Sequence, residues 1–340
     1  MNKKQITIIT GVLLFLGIIT SGIILFSPTT SPEIGQTLGV KIEIQKMKVG
    51  YIPVLVNLPL FTALEKNYFE KYNLEVEAVE AQSPNHIVEG IISEKLDGAG
   101  ILAYPLLFTA EEKHPGELKI FASSDETEEN FVASILVKKD SCINKPEDLK
   151  GKKIGVYTGL VQLSFLKGIL TGMGMDPEKD VEIVQIAPRL QLQGLESGQY
   201  DALSTIEPFP TIAASIGIGK VLIENPRVKY IQNPFPSVAT PISSKFIEEN
   251  PKAVTAYLLA YRDAIDFIRE YPEEAKLFLA KYTPIDEDVA KNVRLLRFNQ
   301  FGDENRDNVQ KYADWMTEVG LLDGNINVNA MFGDMKLLEQ

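Results

Sequence analysis

A stretch of 13 residues is nearly repeated 105 residues further on, and this constrains the fold more than any other feature of the chain. Residues 49–61 (VGYIPVLVNLPLF) align with 154–166 (IGVYTGLVQLSFL), pairing Gly50 with Gly155, Leu55 with Leu160, Val56 with Val161, Asn57 with Gln162 and Leu58 with Leu163. A second pair of blocks follows at an offset of 104. Residues 83–97 (SPNHIVEGIISEKLD) lie over 187–201 (APRLQLQGLESGQYD), matching Pro84 with Pro188, Gly90 with Gly194 and Asp97 with Asp201. Blocks in the same order and at almost the same spacing predict two similar α/β lobes. Two such lobes enclose one cleft.

At 340 residues the chain holds two domains of ordinary size, and 45% hydrophobic with 24% charged content is that of a globular protein. The net charge of -12 leaves no basic stripe for neutralising phosphates, which excludes a nucleic-acid partner. Any anionic ligand needs a local positive site. Cys142 is the only cysteine, so no intrachain disulfide or Cys-cluster metal site forms; it reads as an inert, partly buried residue. With His86 and His114 the only histidines, no metal and no cofactor is expected.

Residues 6–26 carry no charge and follow Lys3 and Lys4. Their length fits the roughly 20 residues that cross a bilayer, so 1–26 is expected to be a membrane anchor, with a cleaved signal as the alternative. The lysines hold the N-terminus in the cytoplasm and place the rest outside. Residues 27–45, with Pro28 and Pro32, read as a flexible tether.

From residue 46 strands alternate with helices, the pattern of parallel sheets built from βαβ units. In the first lobe the expected strands are 46–52, 74–81, 98–102 and 118–123, with helices over 58–71, 86–96 and 105–112. The acidic run 125–130 (DETEEN) reads as a solvated loop. Residues 131–138 cross to a second lobe with strands 153–157, 181–186 and 202–205. Residues 232–241, with three prolines, read as the return crossing. Helices over 251–269, 272–281, 285–298 and 304–319 are expected to pack on the first lobe. The expected division is therefore 46–130 with 242–340 as lobe 1, and 131–241 as lobe 2 including the hinge crossings. The fold class is α/β: two Rossmann-like lobes with parallel-rich sheets, two crossing segments and C-terminal helices.

Ligands of open parallel sheets sit beyond the carboxyl ends of the strands, where helix N-termini converge. Applied to both lobes, the rule nominates Tyr51, Pro53 and Asn57 against Thr158, Gly159 and Gln162. A second tier sets Gln82 and Ser83 against Arg189, the one basic residue of these loops and a bidentate partner for a carboxylate, sulfonate or phosphate. A third sets Tyr104 against Glu207 and Phe209. Each has a plain structural alternative: helix capping for Asn57, Gln162 and Glu207, a surface arginine near a turn for Arg189. Backbone amides at the helix starts also favour a negative group.

With anchor, twin lobes and paired helix starts in place, the chain resembles the periplasmic-binding-protein-like substrate-binding proteins of ABC importers, in the nitrate, sulfonate, taurine and thiamine-pyrimidine branch. The likeness is carried by VGYIP, NYFEKYNLEVE, GIISEKLDGAGILAYP, SCINKPEDLKGKKIGVYTG, GLESGQYDALSTIEPF and SSKFIEENPKAV, and covers residues 47 to about 319. The resemblance implies type II topology, hinge closure on a small solute, and delivery to an ABC permease with a cytoplasmic ATPase, by a monomer that is not an enzyme. It also implies ligand contact by Tyr51, Gln82, Tyr104, Thr158, Gln162 and Glu207. An enzyme on the same scaffold is the alternative, either thiamine-pyrimidine synthase-like or chorismate-derived acid dehydratase-like. The pyrimidine-forming enzymes carry a cysteine-rich motif that Cys142 alone cannot supply.

Overall fold

The computed structural model describes residues 43–339. The expected anchor, and all of the expected tether except its last residues, lie outside that span. Among the described residues no helix is long and apolar enough to cross a membrane.

The strands in chain order are β1 (Gln45–Tyr51), β2 (Leu74–Glu80), β3 (Gly98–Ala99), β4 (Leu102–Ala103), β5 (Leu118–Glu126), β6 (Ala133–Lys138), β7 (Lys153–Tyr157), β8 (Glu182–Ile186), β9 (Ala202–Ile206), β10 (Gly219–Glu224), β11 (Phe235–Ser243) and β12 (Arg297–Phe298). They form a seven-stranded sheet ordered β12-β5-β11-β3-β1-β2, with β4 pairing β11, and a five-stranded sheet ordered β10-β6-β9-β7-β8. Each sheet contains a parallel trio of the same order, β2-β1-β3 and β8-β7-β9. The remaining pairs are antiparallel. The sheets are thus α/β and parallel-rich at their repeated halves.

The repeat holds at the level of single contacts. Asp97 accepts the Lys48 amide at 2.7 Å, and Asp201 accepts the Lys153 amide at 2.9 Å. A Cβ on Gly90 would meet Leu96 at 2.8 Å, while one on Gly194 would meet the Tyr200 ring at 2.5 Å. Gly50 and Gly155 are crowded in turn by Leu96 with Ile87 and by Tyr200 with Ile186. Each glycine lets a large apolar side chain close the gap between helix and sheet.

Three sequence readings are corrected. Residues 232–241 are not a crossing throughout, since from Phe235 they belong to β11 in the interior of the first sheet. Register shifts at Pro236 and Pro241 absorb the amides that proline lacks. The expected helix 285–298 is the short Glu287–Asn292, after which the chain turns into β12 to pair with β5. The expected helix 58–71 breaks at Asn67, which adopts φ 55° between Leu58–Glu65 and Tyr68–Lys71. Asn tolerates that left-handed conformation better than most residues.

The C-terminal helices cover the first sheet. Helix Pro251–Glu270 buries Tyr257 and Tyr261 against it. The Tyr261 hydroxyl donates to the Gly100 carbonyl at 2.9 Å, and Thr240 donates to the same oxygen at 2.7 Å. Those two hydrogen bonds fix the backbone just beyond β3.

Candidate functional site

In each parallel trio the chain reverses its direction of winding beside the middle strand, so the carboxyl ends of β1 and β7 are where a ligand site belongs. Beyond β7, Thr158 is exposed and its amide donates to Ile186 at the end of β8, at 3.0 Å. Gly159 adopts φ 142°, a conformation that favours glycine, and its amide donates to Gln185 Oε1 at 3.2 Å. These two bonds hold the loop after β7 against the end of β8. Arg189 is exposed in the turn after β8, and Gln162 is half-buried in the first turn of helix Leu160–Gly172. Phe209 is half-buried at the start of helix Phe209–Ser215.

On the first sheet Gln82 is exposed and Pro53 is half-buried. Tyr51 is half-buried, its ring edge-on to Phe61 at 5.7 Å. Ser83 caps helix Pro84–Ile92, its Oγ accepting from the His86 amide at 3.4 Å.

Three nominated residues lie in the interior. Asn57 is fully buried and donates from Nδ2 to the Ile52 carbonyl at 3.0 Å, closing the turn after β1. Tyr104 is fully buried beside Phe108, and burial pushes its hydroxyl far above the usual tyrosine range. Glu207 is 6% exposed, and its Oε2 accepts from the Thr211 amide at 3.4 Å. The Arg294 guanidinium lies 3.6 Å from Oε1, which has no hydrogen-bond partner among the described residues.

Burial raises the Glu207 carboxyl, against the opposing pull of Thr211 and Arg294. A raised folded-state pKa means the folded chain holds the proton more tightly than the unfolded one. Its contribution is therefore favourable in acid and is lost as pH rises through the ordinary carboxylate range and beyond. Glu207→Gln is expected to raise the melting temperature at neutral pH, with the gain vanishing in acid; a pH series of melting curves checks it.

The residues that sequence reasoning missed are charged pairs near the two crossings. Glu126, fully buried at the end of β5, receives Arg227 at 2.8 Å and the amides of Val132 at 3.4 Å and Ala133 at 3.2 Å. Asp125 receives Arg297 and Asn299, each at 2.8 Å. Arg294 also bonds Glu224 at 2.7 Å and lies over the Phe131 ring at 4.9 Å. The acidic run 125–130 is therefore not wholly a solvated loop, because β5 continues through its first two residues and guanidinium groups neutralise them. Their partners stand 101 and 172 residues away, so no local pattern announces them. Cys142, expected to be partly buried, is exposed because it sits in the loop after β6. Among the described residues no cluster of three or more His, Cys, Asp or Glu is placed to hold a metal.

The NMT1-like family model matches residues 41–282. The chain belongs to the NMT1-like family. This family member is 29% identical over 255 residues to a putative aliphatic sulfonates-binding protein of Bacillus subtilis, covering 74% of each. It is 23% identical over 258 residues to the bicarbonate-binding protein CmpA of Synechococcus elongatus, covering 69% of this chain and 56% of that one. The chain thus spans little more than half the length of the second relative. In structure it is similar to the periplasmic aliphatic sulphonate-binding protein SsuA of Escherichia coli, with a TM-score of 0.71 at 18% identity, covering 85% of this chain and 92% of that one. That likeness establishes the periplasmic-binding-protein fold.

Proposed function

We propose that the chain is an extracytoplasmic solute receptor that captures a small organic anion, of the alkyl- or arylsulfonate kind, between its two lobes and hands it to an ABC permease. Lobe 1 is built on the seven-stranded sheet and lobe 2 on the five-stranded one, so the boundary expected at 241/242 moves back to Phe235, where β11 begins; the N-terminal segment tethers this monomer to the membrane. The observation that carries the ligand class is the company Arg189 keeps. Tyr157, Leu160 and Leu190 are 40%, 72% and 44% exposed, three of the seven large hydrophobics left in solvent among the described residues. Tyr157 ends β7 and Leu160 starts the helix that follows it, while Leu190 is in the turn after β8 that carries Arg189. A cation set among uncovered apolar side chains suits a charged head with an apolar tail better than bare nitrate or bicarbonate. In a chain of net charge -12 such a cation is a local exception.

A binding role is favoured over an enzyme because the matched relatives are named as binding proteins. Delivery to a permease rests on the resemblance to importer receptors. Melting curves of the full chain with butanesulfonate, nitrate and bicarbonate test the reading, because a ligand that binds only the folded state raises its stability. Butanesulfonate is expected to give the largest shift; no shift with any of the three would refute the receptor role. Arg189→Gln should weaken the preferred anion about tenfold by calorimetry, the loss of one charge-assisted hydrogen bond. Undiminished affinity would remove Arg189 from the site.

A further inference from the structure

Helix Leu160–Gly172 starts beside the proposed site, and the crossing between β10 and β11 grips it from behind. Arg227, in that crossing, is held on every side. Nη1 donates to Glu126 at 2.8 Å and Nη2 donates to Gln162 Oε1 at 3.3 Å. The guanidinium carbon lies 4.7 Å from the centroid of the Phe165 ring and 5.7 Å from that of Phe235. The Arg227 side chain is 9% exposed and that of Glu126 is 0% exposed. Phe165 stands one turn after Gln162 on the same helix, so Arg227 touches that helix twice.

A guanidinium carries donors only. It can therefore face the oxygen of the Gln162 amide and not its nitrogen, and no protein acceptor among the described residues takes the –NH2 branch. The aligned amide in the first sheet has the opposite fate: Asn57 is fully buried, donates one N–H to the Ile52 carbonyl, and its oxygen has no partner among the described residues. Of the two repeat-related amides, only the half-buried Gln162 is placed to offer N–H groups to a solute.

We propose that Arg227 is a positioning residue that fixes Gln162 as an N–H donor toward the solute, so that the site selects oxyanion acceptors and rejects donor groups. This rests on the receptor reading above and deepens it. Neither Arg227 nor Glu126 touches the solute; their effect is on which face Gln162 presents.

Calorimetry on the full chain with butanesulfonate, nitrate and bicarbonate tests it in two variants. Gln162→Glu keeps an acceptor for Arg227, so its melting temperature stays near that of the wild type. It also places a carboxylate oxygen where the N–H groups stood, so affinity for the preferred anion should fall at least about tenfold. Glu126→Gln combined with Arg227→Gln keeps the cluster filled and hydrogen-bonded but lets the Gln162 amide turn. That pair should weaken binding alone yet add nothing in the Gln162→Glu background, because the orientation it controls no longer matters. Should Gln162→Glu melt early, Gln162→Met removes the donor without adding charge and carries the same expected loss. A folded Gln162 variant that binds as tightly as the wild type overturns the proposal, as does a folded Glu126/Arg227 variant of unchanged affinity. A wild-type chain that binds none of the three anions instead refutes the receptor reading, and this inference with it.

Discussion

Arg227→Ala should destabilise the chain by about 3–5 kcal/mol, the cost of stranding a buried carboxylate without its cation. Glu126 is fully buried, and its remaining donors are two backbone amides at 3.2 and 3.4 Å. Those bonds are too long to replace a guanidinium at 2.8 Å. The truncation also takes a flat cation from beside Phe165 and Phe235 and leaves a void. Urea denaturation followed by far-UV circular dichroism measures the loss. Pairing Glu126→Gln with Arg227→Met should recover much of it, since an uncharged, filled site avoids the stranded charge. If Arg227→Ala alone unfolds at the wild-type urea concentration, Glu126 is solvated and the burial described above is wrong.

The second large effect is a contrast between two repeat-related glycines. Both lie in helices, where alanine gains about 0.5–1 kcal/mol over glycine in backbone entropy. At Gly90 the new methyl meets the tip of Leu96 at 2.8 Å, a flexible end that can turn aside. Gly90→Ala is therefore expected to be close to neutral. At Gly194 the methyl meets Cε1 and the hydroxyl oxygen of Tyr200, both at 2.5 Å. That ring is buried and its hydroxyl donates to the Gln191 carbonyl, so it has nowhere to go. Gly194→Ala should cost about 2 kcal/mol net of the entropy gain. The shift in urea midpoint between the two variants reads the difference directly; equal midpoints would show that Tyr200 can move.

How much of this was legible in the residues follows from the range of each interaction. The repeat was readable because its determinants are local: a glycine under a bulky side chain, and an aspartate capping the strand that begins its own unit. The same matched blocks located the loops after β1 and β7. Depth along those loops was not readable, because it depends on what packs from elsewhere. Asn57 and Gln162 occupy equivalent places, yet one faces Gly100 beneath the C-terminal helices and the other faces Arg227 from a crossing. Tyr104 looked like a cleft-lining aromatic, but helix Arg306–Glu318 delivers Tyr312 to the far side of Phe108 and the cluster closes over it. The prolines at 236 and 241 pointed to a crossing because irregular register inside a sheet leaves no mark on the chain. The pairing of β11 with both β3 and β5 decided otherwise.

The position of β11 also bears on the order in which a nascent chain can fold. It lies between β5 and β3, yet it is synthesised only after all five strands of the second sheet. The second sheet is continuous in the chain and can close as soon as β10 emerges. The first sheet must wait with a central gap, its β5 and β3 edges unpaired until residue 235 arrives. N-terminal units commonly fold first during synthesis. Here the order is inverted, and the waiting edges are the surface a chaperone or export factor would need to shield.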